Sequence, residues 1–189
     1  MARRERSRLP AEQRRRQIIE AATALVAERG FWGLSMQDVA DECGLTVPGL
    51  LHHVGSKDGL LVAVLEHRDA EDRRSIGEPP PAGLRELCAA LVRRNATQPE
   101  IVRLFAVLAA ESLTPDHPAH DYFAARQRGV LDSLTTLAKP VSERPEVLAR
   151  QIVATMDGLQ LLWLRAPGDA DLVAMWEEAA EVLFAGLAG

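Results

Sequence analysis

Ser35 and Thr46 are side chains of the type that caps helices, and a capped helix start can bind phosphate. Each of them precedes an apolar run with helical spacing. The first turn of a helix has backbone N–H groups without intrahelical partners, and the helix dipole adds partial positive charge there. The chemistry that these positions indicate is therefore non-covalent binding of phosphate groups.

Two short helices joined by a tight turn must position these caps. Ser35 and Asp38 have capping-box spacing, which predicts that the first helix begins here. Gly44 can adopt the left-handed conformation that closes a helix, and Thr46 can cap the second helix. In that helix Leu50 and the residue four positions later, Val54, face the core. Helix, short turn and helix within about twenty residues form a DNA-reading unit.

The charge distribution favours this interpretation although the whole chain is acidic, with a net charge of −5. Residues 1–16 hold seven arginines against two glutamates, a net charge of +5, whereas the acidic excess lies in residues 71–189. A basic end attracts the phosphate backbone and supplies non-specific affinity. The same arginines also fit a solvated, disordered tail. The DNA-binding and the disordered-tail interpretations both hold if this N-terminal segment becomes ordered only when it enters a minor groove of DNA.

The stretch GLTVPGLLHHVGSKDGLL, residues 44–61, resembles the TetR family of bacterial transcriptional regulators, together with IIEAA at 18–22 and ERGF at 28–31. The resemblance covers about residues 10 to 65 of the chain. It implies an all-α fold: a three-helix DNA-binding domain followed by a helical ligand-binding and dimerisation domain, about nine helices in all. The expected division is a basic arm at 1–9, the helix-turn-helix domain at 10–56 and the second domain at 57–189.

The resemblance also assigns DNA contacts position by position. Gln37 falls where a base-reading side chain is common, and a glutamine amide can pair with adenine through two hydrogen bonds. Val47 and Pro48 suit thymine methyl groups, Gly49 allows close approach of the backbone, and Lys57 suits a phosphate. The full set of expected DNA contacts is Arg4, Arg6, Ser35, Gln37, Thr46, Val47, Pro48, Gly49, Leu51, His52, His53 and Lys57.

Two positions depart from the family pattern. Leu51 replaces the usual tyrosine before His52, which removes a phosphate-contacting hydroxyl, and Val54 replaces the usual phenylalanine. The second helix therefore has few polar side chains that could contact bases. Sequence specificity is expected to depend on Gln37, on the basic arm and on DNA shape. The alternative function is an all-helical small-molecule or protein-binding module that no longer reads a specific operator.

The rest of the chain has helical periodicity, and its clearest linker is 75–83, which contains three consecutive prolines. Helices are expected at about 10–29, 57–74, from 84, from 99, at 119–137, at 145–164 and at 170–187, in addition to the two around the turn. A small-molecule effector is implied in the second domain, with a candidate lining whose spacing equally fits core: Phe105, Leu108, Tyr122, Phe123, Met156 and Trp163.

Large apolar residues on the last two helices suggest burial against a second copy, since TetR-like proteins pair through these helices. The expected interface residues are Ile152, Leu159, Met175, Trp176, Leu183 and Phe184, with a plain intrachain core as the alternative. A homodimer places two reading helices on successive major grooves, so its operator is expected to be palindromic.

Other function classes have little support. No catalytic motif or glycine-rich phosphate loop is present, so neither an enzyme nor a cofactor is expected. His117 and His120 could ligate a metal beside Asp116 and Asp121, but this spacing equally suits a loop and a helix start. Cys43 and Cys88 lack disulfide or metal spacing.

The sequence contains neither a membrane-length apolar run nor a signal sequence. The expected location is therefore the cytoplasm, and no membrane partner is expected.

Overall fold

The computed structural model describes residues 9–29, 33–76, 83–166 and 168–185. These residues form nine α-helices and no strand, which confirms the expected all-α class. None of the described helices is both long and apolar enough to cross a bilayer. The helices are α1 (Ala11–Arg29), α2 (Met36–Glu42), α3 (Val47–Val54), α4 (Lys57–Ile76), α5 (Leu84–Ala96), α6 (Pro99–Glu111), α7 (His120–Ala138), α8 (Pro145–Arg165) and α9 (Leu172–Leu183).

The chain folds as two compact units, residues 1–68 and 69–189. In the first unit α1, α2 and α3 pack against one another, and the early part of α4 contributes to the same core. The buried side chains recur three or four residues apart on each helix, because that spacing places them on one face. They include Ile18, Ala22, Val26, Val39, Leu50, Leu60, Leu61, Val64 and Leu65.

In the second unit α8 packs against α6, α7 and α9, and α5 packs against α9. One apolar cluster joins α5, α7, α8 and α9: Leu84, Cys88, Val92, Leu134, Ala138, Leu148, Ala149, Ile152, Leu172, Trp176 and Ala180. Burial raises the pKa of the Cys88 thiol to about 12, so this cysteine is an apolar core residue with little thiolate character.

Most predicted helix ends agree with the structure to within one or two residues, but α9 is shorter than expected. It begins at Leu172, because the Asp171 carboxylate accepts hydrogen bonds from the Val173 and Ala174 N–H groups (2.8 and 3.2 Å). It ends at Leu183, and residues 186–189 lie outside the described part of the chain. The two compact units divide at residues 68 and 69, inside α4. The domain boundary at residues 56 and 57 stays a prediction from the sequence.

Replacing Gly59 with alanine is expected to lower the free energy of unfolding by about 1–3 kcal/mol, the usual cost of overpacking. A Cβ atom at Gly59 would lie 2.5 Å from the Val54 carbonyl oxygen, because the first turn of α4 passes directly over the end of α3. Gly129→Ala in α7 is the matched control, since nothing lies within 4 Å of its added Cβ. Thermal unfolding that finds the two variants equally stable contradicts this packing.

Candidate nucleic-acid interface

A four-residue turn, Cys43 to Thr46, separates α2 from α3. Gly44 has a φ of +63°, and its N–H donates to the Asp41 carbonyl (3.1 Å), while the Leu45 N–H donates to the Ala40 carbonyl (2.8 Å). This pair of bonds is a Schellman motif, in which glycine avoids the strain of a left-handed backbone. The predicted role of Gly44 is confirmed, and the turn sets the direction in which α3 leaves α2.

Both predicted caps are present. The Ser35 hydroxyl accepts from the Asp38 N–H (3.1 Å) and donates to the Asp38 carboxylate, and this second bond is the main reason why the pKa of Asp38 is lowered. The Thr46 hydroxyl accepts from the Gly49 N–H (3.2 Å). A Cβ atom on Gly49 would lie 3.2 Å from that hydroxyl, so Gly49 also leaves room for the cap.

The faces of α3 divide as predicted. Leu50 and Val54 are buried in the first unit, while Thr46, Pro48 and His52 are exposed. Val47, Gly49, Leu51 and His53 are half-buried between these faces. The rings of His52 and His53 meet edge to face, with their centroids 5.5 Å apart. The outward surface of α3 therefore offers one threonine hydroxyl, a proline ring and imidazole nitrogens.

Gln37 is exposed on α2, and a residue of the same helix holds its side-chain amide in place. Its Nε2 donates to the Asp41 carboxylate one turn later (2.8 Å). The amide makes no other hydrogen bond within the described part of the chain, so its Oε1 atom and its second Nε2 hydrogen remain for a partner. Pairing with adenine requires one acceptor and one donor of this kind.

Lys57 has a structural contact that the sequence did not predict. Its ammonium donates to the Leu34 carbonyl (2.8 Å), which ties the first turn of α4 to the segment before α2. Leu34 is buried, so the contact fixes the edge of the core.

Arg14 and Arg15 also act within the first unit, although the sequence counted them only as part of the basic segment. Arg14 donates to the Gln17 side chain (2.7 Å) and to the Cys43 carbonyl (3.5 Å), and Arg15 donates to the His53 carbonyl (3.5 Å). They precede the buried Ile18 by four and three residues, so helical periodicity alone places them on the inward side. Arg4 and Arg6, the predicted arm contacts, lie outside the described residues.

Three of the six predicted effector-lining residues are in direct ring contact, and the ligand role of all six stays a prediction. Phe105, Tyr122 and Phe123 lie together: Phe105 and Phe123 meet edge to face at 6.3 Å, and Tyr122 and Phe123 at 5.1 Å. Leu108 is buried in the core. Met156 and Trp163 pack, partly buried, against the apolar cluster of the second unit.

Two of the six predicted interface residues belong to the core of the chain itself, and the other four stay predictions. Ile152 and Trp176 are 0% and 1% exposed within a single copy, so neither can present its side chain to a partner. Leu159, Leu183 and Phe184 pack against the same cluster, and Met175 is half-buried. The large apolar side chains exposed on α8 and α9 are Leu161 (44%), Leu162 (57%) and Val182 (78%).

His117, between α6 and α7, and His120, the first residue of α7, are engaged in local contacts. The His117 Nδ1 accepts from the Ala119 N–H (3.1 Å), and the His120 Nδ1 bonds the Ser112 carbonyl (2.7 Å). Throughout the described ranges, no three His, Cys, Asp or Glu side chains converge as a metal site would require.

Comparison with known proteins identifies relatives of both units. The family model described as bacterial regulatory proteins, tetR family, matches residues 18–64. The HTH-type transcriptional regulator PksA of Bacillus subtilis is 26% identical over 161 residues, 79% of this chain and 78% of that protein. A TetR-family transcriptional regulator from Pectobacterium atrosepticum is 30% identical, covering 96% of this chain and 97% of that one with a TM-score of 0.73.

A protein from Saccharomonospora viridis, described as a transcriptional regulator and solved in complex with choline, shares the fold. Its TM-score is 0.70 at 21% identity, over 93% of this chain and 98% of that one.

Proposed function

Because the chain belongs to the TetR family of bacterial regulatory proteins, we propose that it is a dimeric, effector-responsive repressor that reads a palindromic operator with α3. Family membership makes it a transcriptional regulator and not an enzyme. The observation that carries the proposal is the capped α3, with Leu50 and Val54 in the core and Pro48 and His52 on the outside.

On DNA, α3 enters the major groove with its N-terminal residues towards the base edges. Val47 and Pro48 contact thymine methyl groups, and the Gln37 amide pairs with an adenine. The exposed His52 contacts a base or a phosphate. The N-termini of α2 and α3 bind backbone phosphates, and Arg4 and Arg6 enter the adjacent minor groove.

A symmetric operator requires two copies, and α8 and α9 provide a suitable surface. Leu161, Leu162 and Val182 are exposed apolar side chains on these two helices. Pairing of such faces removes apolar area from water, which drives association. We name Leu161, Leu162 and Val182 the pairing face.

Effector control requires two conformations of the dimer that differ in the separation of their two α3 helices. The ligand must bind one of these conformations more tightly than the other. Helix α4 is the connecting element, because its early residues belong to the first unit and its later residues to the second. The aromatic group of Phe105, Tyr122 and Phe123 is the proposed ligand site in the second unit. The choline complex of the Saccharomonospora viridis protein supports a ligand site within this fold.

Replacing Gln37 with alanine is expected to weaken operator binding about 10- to 100-fold, since each well-placed base pairing contributes about 1–3 kcal/mol of discrimination. The operator is first recovered by selection from randomised duplexes, which tests the proposal itself. Equilibrium mobility shifts then compare that operator with a variant changed at the contacted base pair.

Glu28→Ala, at an exposed position near the end of α1, is the control substitution. Selection that enriches no symmetric sequence contradicts the proposed function. Equal operator affinity of the Gln37→Ala and wild-type proteins contradicts only the role of Gln37.

A further inference from the structure

Lys57 occupies a position that helix electrostatics disfavours for a cation. It is the first residue of α4, where the helix dipole adds partial positive charge. The Ser56 hydroxyl accepts from the Gly59 N–H (2.9 Å), so this helix is capped without Lys57. The ammonium of the half-buried Lys57 donates to the Leu34 carbonyl (2.8 Å), a charge-assisted bond within the first unit. This bond offsets the unfavourable placement of the charge.

The carbonyl that Lys57 binds lies directly before the helix that carries Gln37. Leu34 is 3% exposed and precedes Ser35, the N-cap of α2, and Gln37 is the second residue of that helix. Helix α2 has seven residues, and a helix of this length is not stable by itself. The position of its first turn therefore depends on the contacts that hold Leu34 and Ser35.

The Lys57 bond connects the beginning of α2 with the end of α3. Only two residues separate Lys57 from Val54, the last residue of α3. The end of α2 and the beginning of α3 are joined by the turn that contains Gly44. The two helices that carry the proposed base contacts are therefore held together at both ends, by the turn at one end and by the bond from Lys57 to Leu34 at the other.

A lysine at the start of α4 can act on DNA binding in two ways that differ in their dependence on base sequence. A phosphate contact strengthens binding to every duplex and carries no sequence information. A bond that positions Gln37 strengthens binding only where the contacted base pair is the correct one, since two hydrogen bonds to adenine tolerate little displacement. The 2.8 Å bond to a buried residue of the chain itself favours the second role.

We propose that Lys57 is a positioning residue for base reading: through the Leu34 carbonyl it fixes Gln37 relative to α3 and so contributes to operator specificity. This inference rests on the proposed function, since it adds a residue to the recognition of the same operator. Without the bond, the first turn of α2 moves relative to α3, and Gln37 and α3 no longer meet their bases together. General affinity for DNA changes little, because the phosphate contacts of other residues remain.

The test replaces Lys57 with methionine, which keeps the stem of the side chain but removes the donor and the charge. Mobility shifts compare the selected operator with the variant changed at the base pair that Gln37 contacts. Lys57→Met is expected to lower the ratio of these two affinities about 3- to 10-fold, a part of the discrimination that Gln37 provides. A mere loss of stability reduces both affinities alike and leaves this ratio unchanged.

Two further measurements separate positioning from phosphate contact. In the Gln37→Ala protein, Lys57→Met is expected to cause no further decrease in the ratio, since the side chain that Lys57 positions is absent. The slope of log affinity against log salt concentration is expected to match that of the wild type, whereas loss of a phosphate contact reduces its magnitude by about 0.9 per subunit. Lys139→Met, the same change at an exposed lysine of the second unit, is the matched control and is expected to leave ratio and slope unchanged.

A Lys57→Met protein with the wild-type ratio, or with a salt slope reduced by a full phosphate contact, overturns the inference. In both cases a symmetric operator recovered by the selection retains the proposed function. Selection that enriches no symmetric operator overturns both the proposed function and the inference.

Discussion

Replacing Trp176 with alanine is expected to lower the free energy of unfolding by about 3–5 kcal/mol, the usual cost of deleting a buried aromatic side chain. Trp176 is 1% exposed and lies in the apolar cluster that joins α9 to α5, α7 and α8. Removing the indole leaves a cavity that rigid helices on several sides cannot fill. Urea unfolding followed by circular dichroism measures the loss.

Trp163→Ala is the comparison for Trp176, because Trp163 is only partly buried against the same cluster. Its effect on the free energy of unfolding is expected to be smaller. If the Trp176→Ala protein unfolded at the wild-type urea concentration but dissociated into single copies, the indole would belong to an interface between subunits and the core assignment would be wrong.

Introducing glutamate at both Leu162 and Val182 is expected to prevent pairing and to weaken binding to the full operator about 10²- to 10⁴-fold. Both side chains are exposed on the pairing face, so the folded subunit tolerates the change, but like charges in an apolar interface oppose association. In a dimer, binding of one subunit holds the other subunit next to the second half-site. An unpaired subunit lacks this advantage, which accounts for a loss of affinity of this size. Light scattering gives the mass, and mobility shifts give the affinity.

Leu113→Glu is the matched control for the pairing face, because Leu113 is 80% exposed but follows α6 and belongs to neither α8 nor α9. That protein is expected to pair and to bind the full operator as the wild type does. A Leu162→Glu, Val182→Glu protein that still pairs, or a Leu113→Glu protein that does not, would assign the interface to another surface.

The sequence predicted the reading unit well because its determinants are local. The Ser35 and Thr46 caps and the left-handed Gly44 depend on residues within a few positions of one another, and each is present in the structure. The inward placement of Leu50 and Val54 follows from helical spacing alone. Local rules therefore suffice for the helices, the turn and the orientation of α3.

Contacts between distant parts of the chain could not be predicted in the same way. A large apolar residue such as Trp176 has the same helical spacing whether it packs inside one copy or between two, so periodicity cannot distinguish these cases. The spacing of Tyr122 and Arg126 places them on one face of α7, but their partner Asp69 lies 53 and 57 positions away. The Lys57 bond to Leu34 likewise depends on how α4 crosses the segment before α2.

Hydroxyl-radical footprinting on the selected operator tests most directly whether two copies of α3 read one symmetric site. Two reading helices on successive major grooves should protect two backbone tracts on one face of the duplex, with centres about 10 base pairs apart or a multiple of one helical turn. The Leu162→Glu, Val182→Glu protein should protect at most one tract, and only at higher concentration. A single protected tract with the wild-type protein, or protection that continues along the duplex without regard to sequence, would contradict the reading of a symmetric site by two copies of α3.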